Sequence, residues 1–405
     1  MYICVHNCIL FCDEMNFKSF GVGYMRKKIY IFLIVFALFA LALAPIFKGV
    51  GEENILKSET PEAEEVFGVS SANYALLSED GQLIFAHGEN IRRGMASTTK
   101  IMTCLVAIES GNLEEEAEIP KEACGIEGSS VYLEVGERLT LRELLYCLML
   151  ESGNDAAEAI AISVGGSEEN FVRMMNAKAS ELGLKDTRFA NPHGLSSKEH
   201  YTTASELAKI TLEAYKYPIF KEIVSTKIKK VRYRGIENGR TLINHNRLLF
   251  SDGSCVGVKT GYTQADGKCL VSAFEKDGTL IVCASLGDSF PKGTHEALKE
   301  KAFSGYERIK VFGAGELKKT VKVEGGEKEF IELSNADDVY IFIPKGKNFE
   351  VVFDEMILKA PIKEFDVCGI AKVVCEGRAV DIIYLEANED DRALKKSFFE
   401  KLFGK

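Results

Sequence analysis

The chain has 405 residues, of which 46% are hydrophobic and 27% are charged. This balance is typical of folded globular domains and excludes both a disordered chain and a multispanning membrane protein. The formal net charge is -10 at pH 7 and the sequence has no arginine-rich run, so its charge gives no indication of nucleic-acid binding.

Residues 1–44 have the pattern of a signal peptide. A basic cluster at 26–28 precedes an apolar run that ends in small residues at 42–44, the order expected of an exported chain. The apolar run, 29–47, is also about long enough to span a bilayer, so a permanent membrane helix is the alternative. Met25 directly precedes the basic cluster, which indicates that it is the true start and that the residues before it are a doubtful extension.

The next segments predict a spacer, a hairpin and a helix. Residues 51–65 are polar and acidic, which predicts a short spacer over 45–65. Apolar residues alternate on either side of an Asp-Gly pair at 80–81, which predicts a β-hairpin. From Ser97 to Gly111 apolar residues recur at helical spacing, so Ser97 and Lys100 are expected in the first turn of a helix.

Further elements complete a predicted domain over residues 66–310. A second helix is expected over Leu139–Met149, just before Ser152. Apolar runs around an Asp-Gly pair at 277–278 predict another hairpin. Helical spacing then predicts a helix from His295 to Ile309.

The C-terminal part of the sequence changes character twice. Short β-prone runs separated by Gly, Pro and charged turns predict a small all-β module over 311–388. Residues 389–405 return to helical spacing, with the apolar side chains mostly on one side: Leu394, Phe398, Phe399, Leu402 and Phe403. The prediction is an amphipathic helix attached to a membrane, and a helix docked on the β module is the alternative.

Three short motifs carry the chemistry. Ser97-Thr-Thr-Lys100 places a hydroxyl and an amine on one helical face. A serine hydroxyl needs a base to take its proton, and a lysine desolvated beside a second cation can be neutral enough to do so. Lys259, in Lys-Thr-Gly, could be that cation, and Ser152-Gly-Asn154 is the third motif.

Each motif by itself is a weak signal, because helix caps and solvated turns have the same composition. A second SxxK occurs at 289–292, where Pro291 is incompatible with a helix interior, and a second SxN occurs at 71–73. The order favours catalysis instead: SxxK opens a helix, SxN follows a helix, and KTG precedes a hairpin.

With these motifs the sequence resembles the low-molecular-mass penicillin-binding proteins of the serine D-alanyl-D-alanine carboxypeptidase type, which are SxxK penicillin-recognising enzymes. The likeness covers roughly 66–309 and includes the runs ASTTKIMT, LMLESGNDAAEAIA, MMNAKASELGLKDTRFANPHGL, TTASELA, NHNRLL and GVKTGYT. It implies an α+β fold with an antiparallel sheet flanked by helices, a helical lobe and a small all-β C-terminal domain.

The resemblance also implies roles for the site residues. Ser97 would be the nucleophile, Lys100 its general base and Ser152 the relay of a proton to the leaving amine. The residues implied to bind substrate are Asn154, Lys259, Thr260, Gly261 and Tyr262. No cofactor or metal is expected, and the six His residues form no HExxH zinc motif.

The implied partners follow from that activity. They are peptidoglycan stem peptides as substrates, β-lactams as covalent inhibitors, and the outer face of the cytoplasmic membrane as the place of attachment. The chain is therefore expected to be exported and to act outside the cytoplasm.

The sequence departs from the family pattern in places, and rival functions share its motifs. Met95 stands where the family usually has Pro, Val256 where Asp is common, and TQADGKC (263–269) where an Ala-Gly pair is more frequent. No ExxLN signature occurs between Asn154 and Lys259, which disfavours a β-lactamase. A DD-endopeptidase stays open, whereas the intact motifs disfavour a non-enzymatic wall-binding scaffold.

Overall fold

The computed structural model describes residues 73–354 and 356–394, so the predicted signal peptide and spacer and residues 395–405 lie outside the described residues. The helices are α1 (Lys100–Ser110), α2 (Leu141–Leu150), α3 (Asn154–Gly165), α4 (Glu168–Glu181), α5 (Ala204–Tyr215), α6 (Pro218–Ser225), α7 (Leu248–Ser251) and α8 (Pro291–Gly305), with short 3₁₀ turns at Ala96–Thr99 and Lys121–Ala123. The strands are β1 (Tyr74–Ser78), β2 (Leu83–His87), β3 (Glu116–Glu118), β4 (Arg138–Thr140), β5 (Ile228–Tyr233), β6 (Ile236–Ile243), β7 (Cys255–Thr263), β8 (Gly267–Lys276), β9 (Thr279–Ser285), β10 (Tyr306–Phe312), β11 (Lys318–Glu324), β12 (Phe330–Ser334), β13 (Val339–Pro344), β14 (Phe349–Phe353), β15 (Ile357–Lys359), β16 (Val367–Cys375) and β17 (Arg378–Ala387).

A five-stranded antiparallel sheet organises the larger domain, residues 73–305. Its strand order is β2-β1-β9-β8-β7. Both predicted hairpins are confirmed, because β1 pairs with β2 and β8 pairs with β9. Asp277 and Gly278 have positive φ angles of 51° and 75°, the conformation that a tight two-residue hairpin turn requires. The strand that carries the KTG motif, β7, therefore lies at one edge of the sheet.

Helix α1 is the central helix of this domain. Its residues from Lys100 to Ala107 are all buried, because helices α2 to α6 contact it on different sides. Helix α5 in turn packs on strands β1 and β9. The helices predicted from Ser97 and from Leu139 are confirmed as α1 and α2. The start of α2 is fixed by a capping box in which Thr140 and Glu143 bond each other's backbone N–H.

The smaller domain, from Tyr306 onward, is the predicted all-β module. Strand β10 pairs with β13, and a six-stranded sheet has the order β14-β16-β17-β12-β11-β15. The helix predicted from His295 to Ile309 is wrong in its last four residues, since α8 ends at Gly305 and β10 follows directly. The Tyr306 ring packs on Phe85 and Phe342, and this tertiary contact holds the chain extended where its apolar spacing alone favoured a helix.

The segment after β17 is also extended. Asp391 exchanges two backbone hydrogen bonds of 2.8 and 2.9 Å with Ile362, and Ala393 forms a bridge with Gly326. The predicted C-terminal helix is therefore wrong for residues 389–394, because their backbone is extended and pairs with these two loops. The remainder of that prediction falls on residues outside the described part.

The turn of the first hairpin, between β1 and β2, forms contacts between the larger and the smaller domain. The Gln82 side-chain amide donates to the Phe342 carbonyl at 2.6 Å and accepts from the Phe342 N–H at 2.8 Å. Arg308 of β10 pairs with Glu79 at 2.7 Å and with Asp80 at 3.0 Å. The turn of this hairpin thus bonds both to the β10 side chain and to the β13 backbone.

Removing the Asp391 carboxylate is expected to destabilise the smaller domain. Asp391 is 2% exposed, and its Oδ1 accepts the Lys328 N–H at 3.1 Å. The substitution Asp391→Ala leaves that N–H without its acceptor and should lower the free energy of unfolding by about 1 to 3 kcal/mol. Chemical denaturation measures the change, and the exposed Glu350→Ala on strand β14 is the control. Equal stability of the two variants would contradict this role.

Candidate active site

The first motif forms a tight turn that leads into α1. Residues Ala96–Thr99 make a 3₁₀ turn, and the α-helix begins at Lys100. The Ser97 Oγ lies 3.1 Å from the Lys100 Nζ, within hydrogen-bond distance. The structure thus brings together the hydroxyl and the amine whose spacing pointed to nucleophilic catalysis.

The Lys100 amine is completely buried. Its Nζ donates to the Asn154 Oδ1 at 2.7 Å and to the His193 carbonyl. Burial, followed by the charge of nearby Lys259, holds the pKa of Lys100 well below its usual range. A neutral amine has two hydrogens and one lone pair. Because the two acceptors occupy both hydrogens, the lone pair faces the Ser97 hydroxyl and can take its proton.

The second motif lies in the turn between α2 and α3. Ser152 is 4% exposed with a φ of 61°, and Asn154 begins α3. The Asn154 Nδ2 donates to the Glu127 carbonyl, so the amide joins a neighbouring loop to the Lys100 amine. Among the described residues, no hydrogen bond joins the Ser152 hydroxyl to Ser97 or Lys100. Ser152 lies two residues before Asn154, whose side chain accepts from the Lys100 amine.

The third motif brings strand β7 against the Ser97 turn. Lys259 is 1% exposed, its Nζ donates to the Thr260 carbonyl at 2.8 Å, and burial lowers its pKa to about 7. A Cβ atom on Gly261 would lie 2.9 Å from the Ser97 nitrogen and 3.0 Å from the Thr98 nitrogen. Glycine is therefore required for so close an approach of the two backbones.

The outer residues of the third motif border open space. Thr260 and Gly261 line a cavity of ≈ 350 Å³ that continues toward Phe290 and Lys268. Tyr262 is 65% exposed at the edge of β7. A ligand that reaches Ser97 along this edge would pass these three residues of the motif.

Two residues contribute to the site although the spacing of the three motifs does not point to them. His193 acts through its backbone carbonyl, and any residue type has such a group. Asp155 accepts from the Ser130 hydroxyl at 2.6 Å and from the backbone N–H groups of Val131 at 3.1 Å and Leu133 at 3.0 Å. It orders the loop beside the second motif. An acidic residue in the first turn of α3 was the available sequence signal.

The duplicate motifs lie in other settings. Pro291 is the first residue of α8 and Ser289 precedes that helix, so Ser289 and Lys292 do not share one helical turn. In the second SxN, Asn73 donates to the Gly88 carbonyl at 2.8 Å, while its serine lies outside the described residues. The lysine of the second SxxK, Lys292, is exposed, in contrast to the fully buried Lys100.

Two family models match the chain. The model of D-alanyl-D-alanine carboxypeptidases matches residues 60–289, and the model of the penicillin-binding protein 5 C-terminal domain matches residues 306–391. The chain belongs to the D-alanyl-D-alanine carboxypeptidase family. The first matched span contains all three motifs, and the second falls on the smaller domain. Family membership makes the chain a serine-type hydrolase of the penicillin-binding protein class.

Individual relatives agree with this family. The D-alanyl-D-alanine carboxypeptidase DacF of Bacillus subtilis is 33% identical over 80% of this chain and 86% of its own length. Penicillin-binding protein 5 from Haemophilus influenzae has a TM-score of 0.69 at 25% identity, covering 80% of this chain and 98% of that one. A mutant of the Streptomyces K15 DD-transpeptidase has a TM-score of 0.54 at 32% identity, covering 57% and 96%. The resemblance and the α+β fold predicted from the sequence are confirmed.

Departures of this carboxypeptidase from the family pattern have local partners. The Val256 carbonyl accepts from the Tyr215 hydroxyl at 3.1 Å, which ties the start of β7 to α5. Asp266, in the stretch after β7, accepts from the Ala96 N–H at 3.3 Å and from the Ser196 hydroxyl at 2.9 Å. Both departures support the backbone around the site and leave its motif residues in place.

Replacing Lys259 with methionine should stabilise the carboxypeptidase while abolishing its activity. The pKa of Lys259 falls from 10.5 to about 7 on folding. Between these values the unfolded chain binds a proton that the folded chain excludes, so the folded state loses stability as pH falls through this window. Lys259→Met removes that penalty and should raise the free energy of unfolding at neutral pH by about 1 to 4 kcal/mol.

Denaturant unfolding at several pH values measures this effect. The stability gain should shrink as the pH approaches the ordinary lysine value, because both states of the wild-type chain then lose the proton. The exposed Lys198→Met is the matched control and should change little. A Lys259→Met protein less stable than wild type at neutral pH would contradict the argument.

Proposed function

We propose that the chain removes the terminal D-alanine from peptidoglycan stem peptides through an acyl-enzyme formed on Ser97. The observation that carries this proposal is the 3.1 Å contact between the Ser97 Oγ and the Lys100 Nζ, an amine that is buried and whose pKa is held well below its usual range. The neighbouring KTG strand supports the same reaction, because it offers a cation and a hydroxyl to a substrate carboxylate.

Acylation begins with proton transfer from Ser97 to Lys100. The Ser97 Oγ attacks the carbonyl carbon of the penultimate D-Ala as its proton passes to the Lys100 Nζ. The backbone N–H groups of Ser97 and Tyr262 would stabilise the oxyanion, a contribution of about a hundredfold or more in rate per donor. The close approach of Gly261 to the Ser97 nitrogen supports this pair of donors, since it sets the β7 backbone beside that N–H.

Expulsion of D-alanine requires a proton on its nitrogen. Ser152 relays that proton from Lys100 as the C–N bond breaks. Lys259 and Thr260 bind the terminal carboxylate, and the arriving negative charge raises the pKa of Lys259 from about 7 and favours its protonated form. The Asn154 amide nitrogen has a second hydrogen that can donate to the substrate backbone. Water then hydrolyses the ester and regenerates the serine.

The rival activities differ in substrate. A DD-endopeptidase would cleave crosslinked dimers, and a β-lactamase would turn over penicillin rapidly. Incubation with a pentapeptide stem, with crosslinked dimers and with penicillin separates them. Release of free D-Ala from the pentapeptide supports the carboxypeptidase. Cleavage of dimers alone, or rapid penicillin hydrolysis, would replace the proposal with the corresponding rival.

A labelled penicillin should acylate Ser97. The β-lactam amide and its adjoining carboxylate have the layout of the acyl-D-Ala-D-Ala end, so the same nucleophile should open the ring. Lys100→Arg should nearly abolish this acylation although the positive charge is kept, because arginine stays protonated and cannot act as the base.

Intact-mass measurement and peptide mapping locate the adduct. Ser289→Ala, in the duplicate SxxK, is the matched control and should acylate like wild type. An adduct on Ser289, or near-normal acylation of the Lys100→Arg protein, would overturn the assigned roles.

The cellular location belongs to the same proposal. A stem-trimming enzyme acts outside the cytoplasm, and the signal-like residues 1–44 support export. In the described ranges no helix combines the length and hydropathy needed to cross a bilayer. We assign attachment to the outer face of the cytoplasmic membrane to residues 395–405, whose four large apolar side chains and lysines suit a lipid surface.

Truncation after Leu394 tests the attachment. The bonds of Asp391 and Ala393 are then retained, so the shortened chain should stay folded and keep its activity on small peptides while losing co-sedimentation with phosphatidylglycerol liposomes. A full-length variant with serine at the four positions Phe398, Phe399, Leu402 and Phe403 should behave in the same way. Undiminished sedimentation of both proteins would exclude these residues as the attachment.

A further inference from the structure

Side chains of two other residues form hydrogen bonds with the backbone N–H and the backbone carbonyl of Ala96, the residue before Ser97. Its N–H donates to the Asp266 Oδ2 at 3.3 Å, and its carbonyl accepts from the Thr99 hydroxyl at 2.7 Å. Ala96 is fully buried with a φ of 46°, a left-handed conformation that is unfavourable for a residue with a side chain. The surroundings therefore have to hold this residue in place.

The Thr99 side of this arrangement leads to a histidine. The His200 Nε2 lies 2.7 Å from the Thr99 Oγ1, and its Nδ1 accepts the Ala190 N–H at 3.0 Å. Because Nδ1 is an acceptor, the neutral ring carries its hydrogen on Nε2 and donates to Thr99. The Thr99 hydroxyl can then donate in only one direction, to the Ala96 carbonyl. His200 is 2% exposed, and burial lowers its pKa to about 4, so the ring is neutral at ordinary pH.

The Asp266 side connects the same residue to the loops around the site. The Asp266 carboxylate also accepts from the Ser196 hydroxyl at 2.9 Å, and its backbone N–H donates to the Thr263 Oγ1 at 2.9 Å at the end of β7. A Cβ atom on Gly94 would lie 2.0 Å from the carboxylate, so this glycine leaves the space that Asp266 occupies. Asp266 lies in the stretch where the sequence departs from its family.

We propose that His200 and Asp266 are positioning residues that hold Ala96 from two sides and thereby fix the Ser97 Oγ against the Lys100 Nζ, an inference that rests on the proposed role of Ser97 as nucleophile. Neither side chain touches the substrate. Their loss should let the Ala96 turn relax, and the Ser97 Oγ would then move away from its base. The expected effect is on the acylation step and not on the preceding binding step.

Stopped-flow acylation with a fluorescent penicillin tests the proposal, because it separates the dissociation constant of the non-covalent complex from the acylation rate constant. Thr99→Val and His200→Phe should each lower the rate constant by roughly 10- to 100-fold and leave the dissociation constant unchanged. His200→Gln keeps a donor toward Thr99 and should recover part of the rate. Asp266→Ala should also slow acylation.

Double variants test whether the two sides are separate. Combining Thr99→Val with His200→Phe should be no slower than the slower single variant, since both interrupt one chain of hydrogen bonds. Combining Thr99→Val with Asp266→Ala should be slower than either alone, since both sides are lost. The matched control is His295→Gln, a fully buried histidine of α8 bonded to Ser285 at 3.0 Å, which should keep the wild-type rate constant.

Several outcomes overturn the proposal. Wild-type acylation rate constants in folded Thr99→Val and Asp266→Ala proteins would do so, as would changes confined to the dissociation constant. If His200→Phe fails to fold, the acylation rate constants of Thr99→Val and His200→Gln still test the positioning role. A wild-type chain that forms no adduct on Ser97 overturns the proposed function itself and the positioning role with it, whereas normal wild-type acylation with unaffected variants overturns the positioning role alone.

Discussion

Two lysine amines are buried beside Ser97, and the rest of the site depends on that burial. Taking an ammonium group out of water is strongly unfavourable, so burial lowers the pKa of Lys100; the charge of Lys259 lowers it further, and Asp155 opposes the shift only in part. The burial that makes folding less favourable thus also gives Lys100 the low pKa that its proposed role as a base requires. The apolar surroundings of α1 supply the stabilisation that keeps the amine in place, since every residue from Lys100 to Ala107 is buried.

A buried neutral amine can act as a base only if its lone pair points toward the group that donates the proton. Two acceptors from different parts of the chain, the Asn154 Oδ1 and the His193 carbonyl, take both hydrogens of Lys100. The remaining direction leads to Ser97. The glycine at 261 then lets β7 approach the same turn, so the Lys-Thr-Gly strand lies beside the backbone of Ser97. Helical lobe and sheet are both needed to build one site.

The sequence predicts local features of this enzyme well. Helical spacing located α1 and α2, Asp-Gly pairs located two hairpins, and motif order pointed to the residues that meet around Lys100. The sequence did not predict the long-range contacts. Apolar spacing favoured a helix at residues 306–309 and again at 389–394, yet aromatic packing on Tyr306 and backbone pairing with Ile362 make both segments extended. The His193 carbonyl and the Asp266 contact with Ala96 leave no compositional trace, because they depend on which loops the fold brings together.

The sheet order has a consequence for when this chain first becomes an enzyme. Strand β1, near the start of the larger domain, pairs with β9, near its end, and β7 to β9 follow the nucleophile by more than a hundred residues. Contacts of such high sequence separation slow folding, because long loops have to close before these contacts can form. A chain whose synthesis has not reached β7 has its serine and its lysine but lacks the strand that completes their surroundings. Hydrolytic activity therefore requires the whole larger domain, from β1 to β9, and not the motif around Ser97 alone.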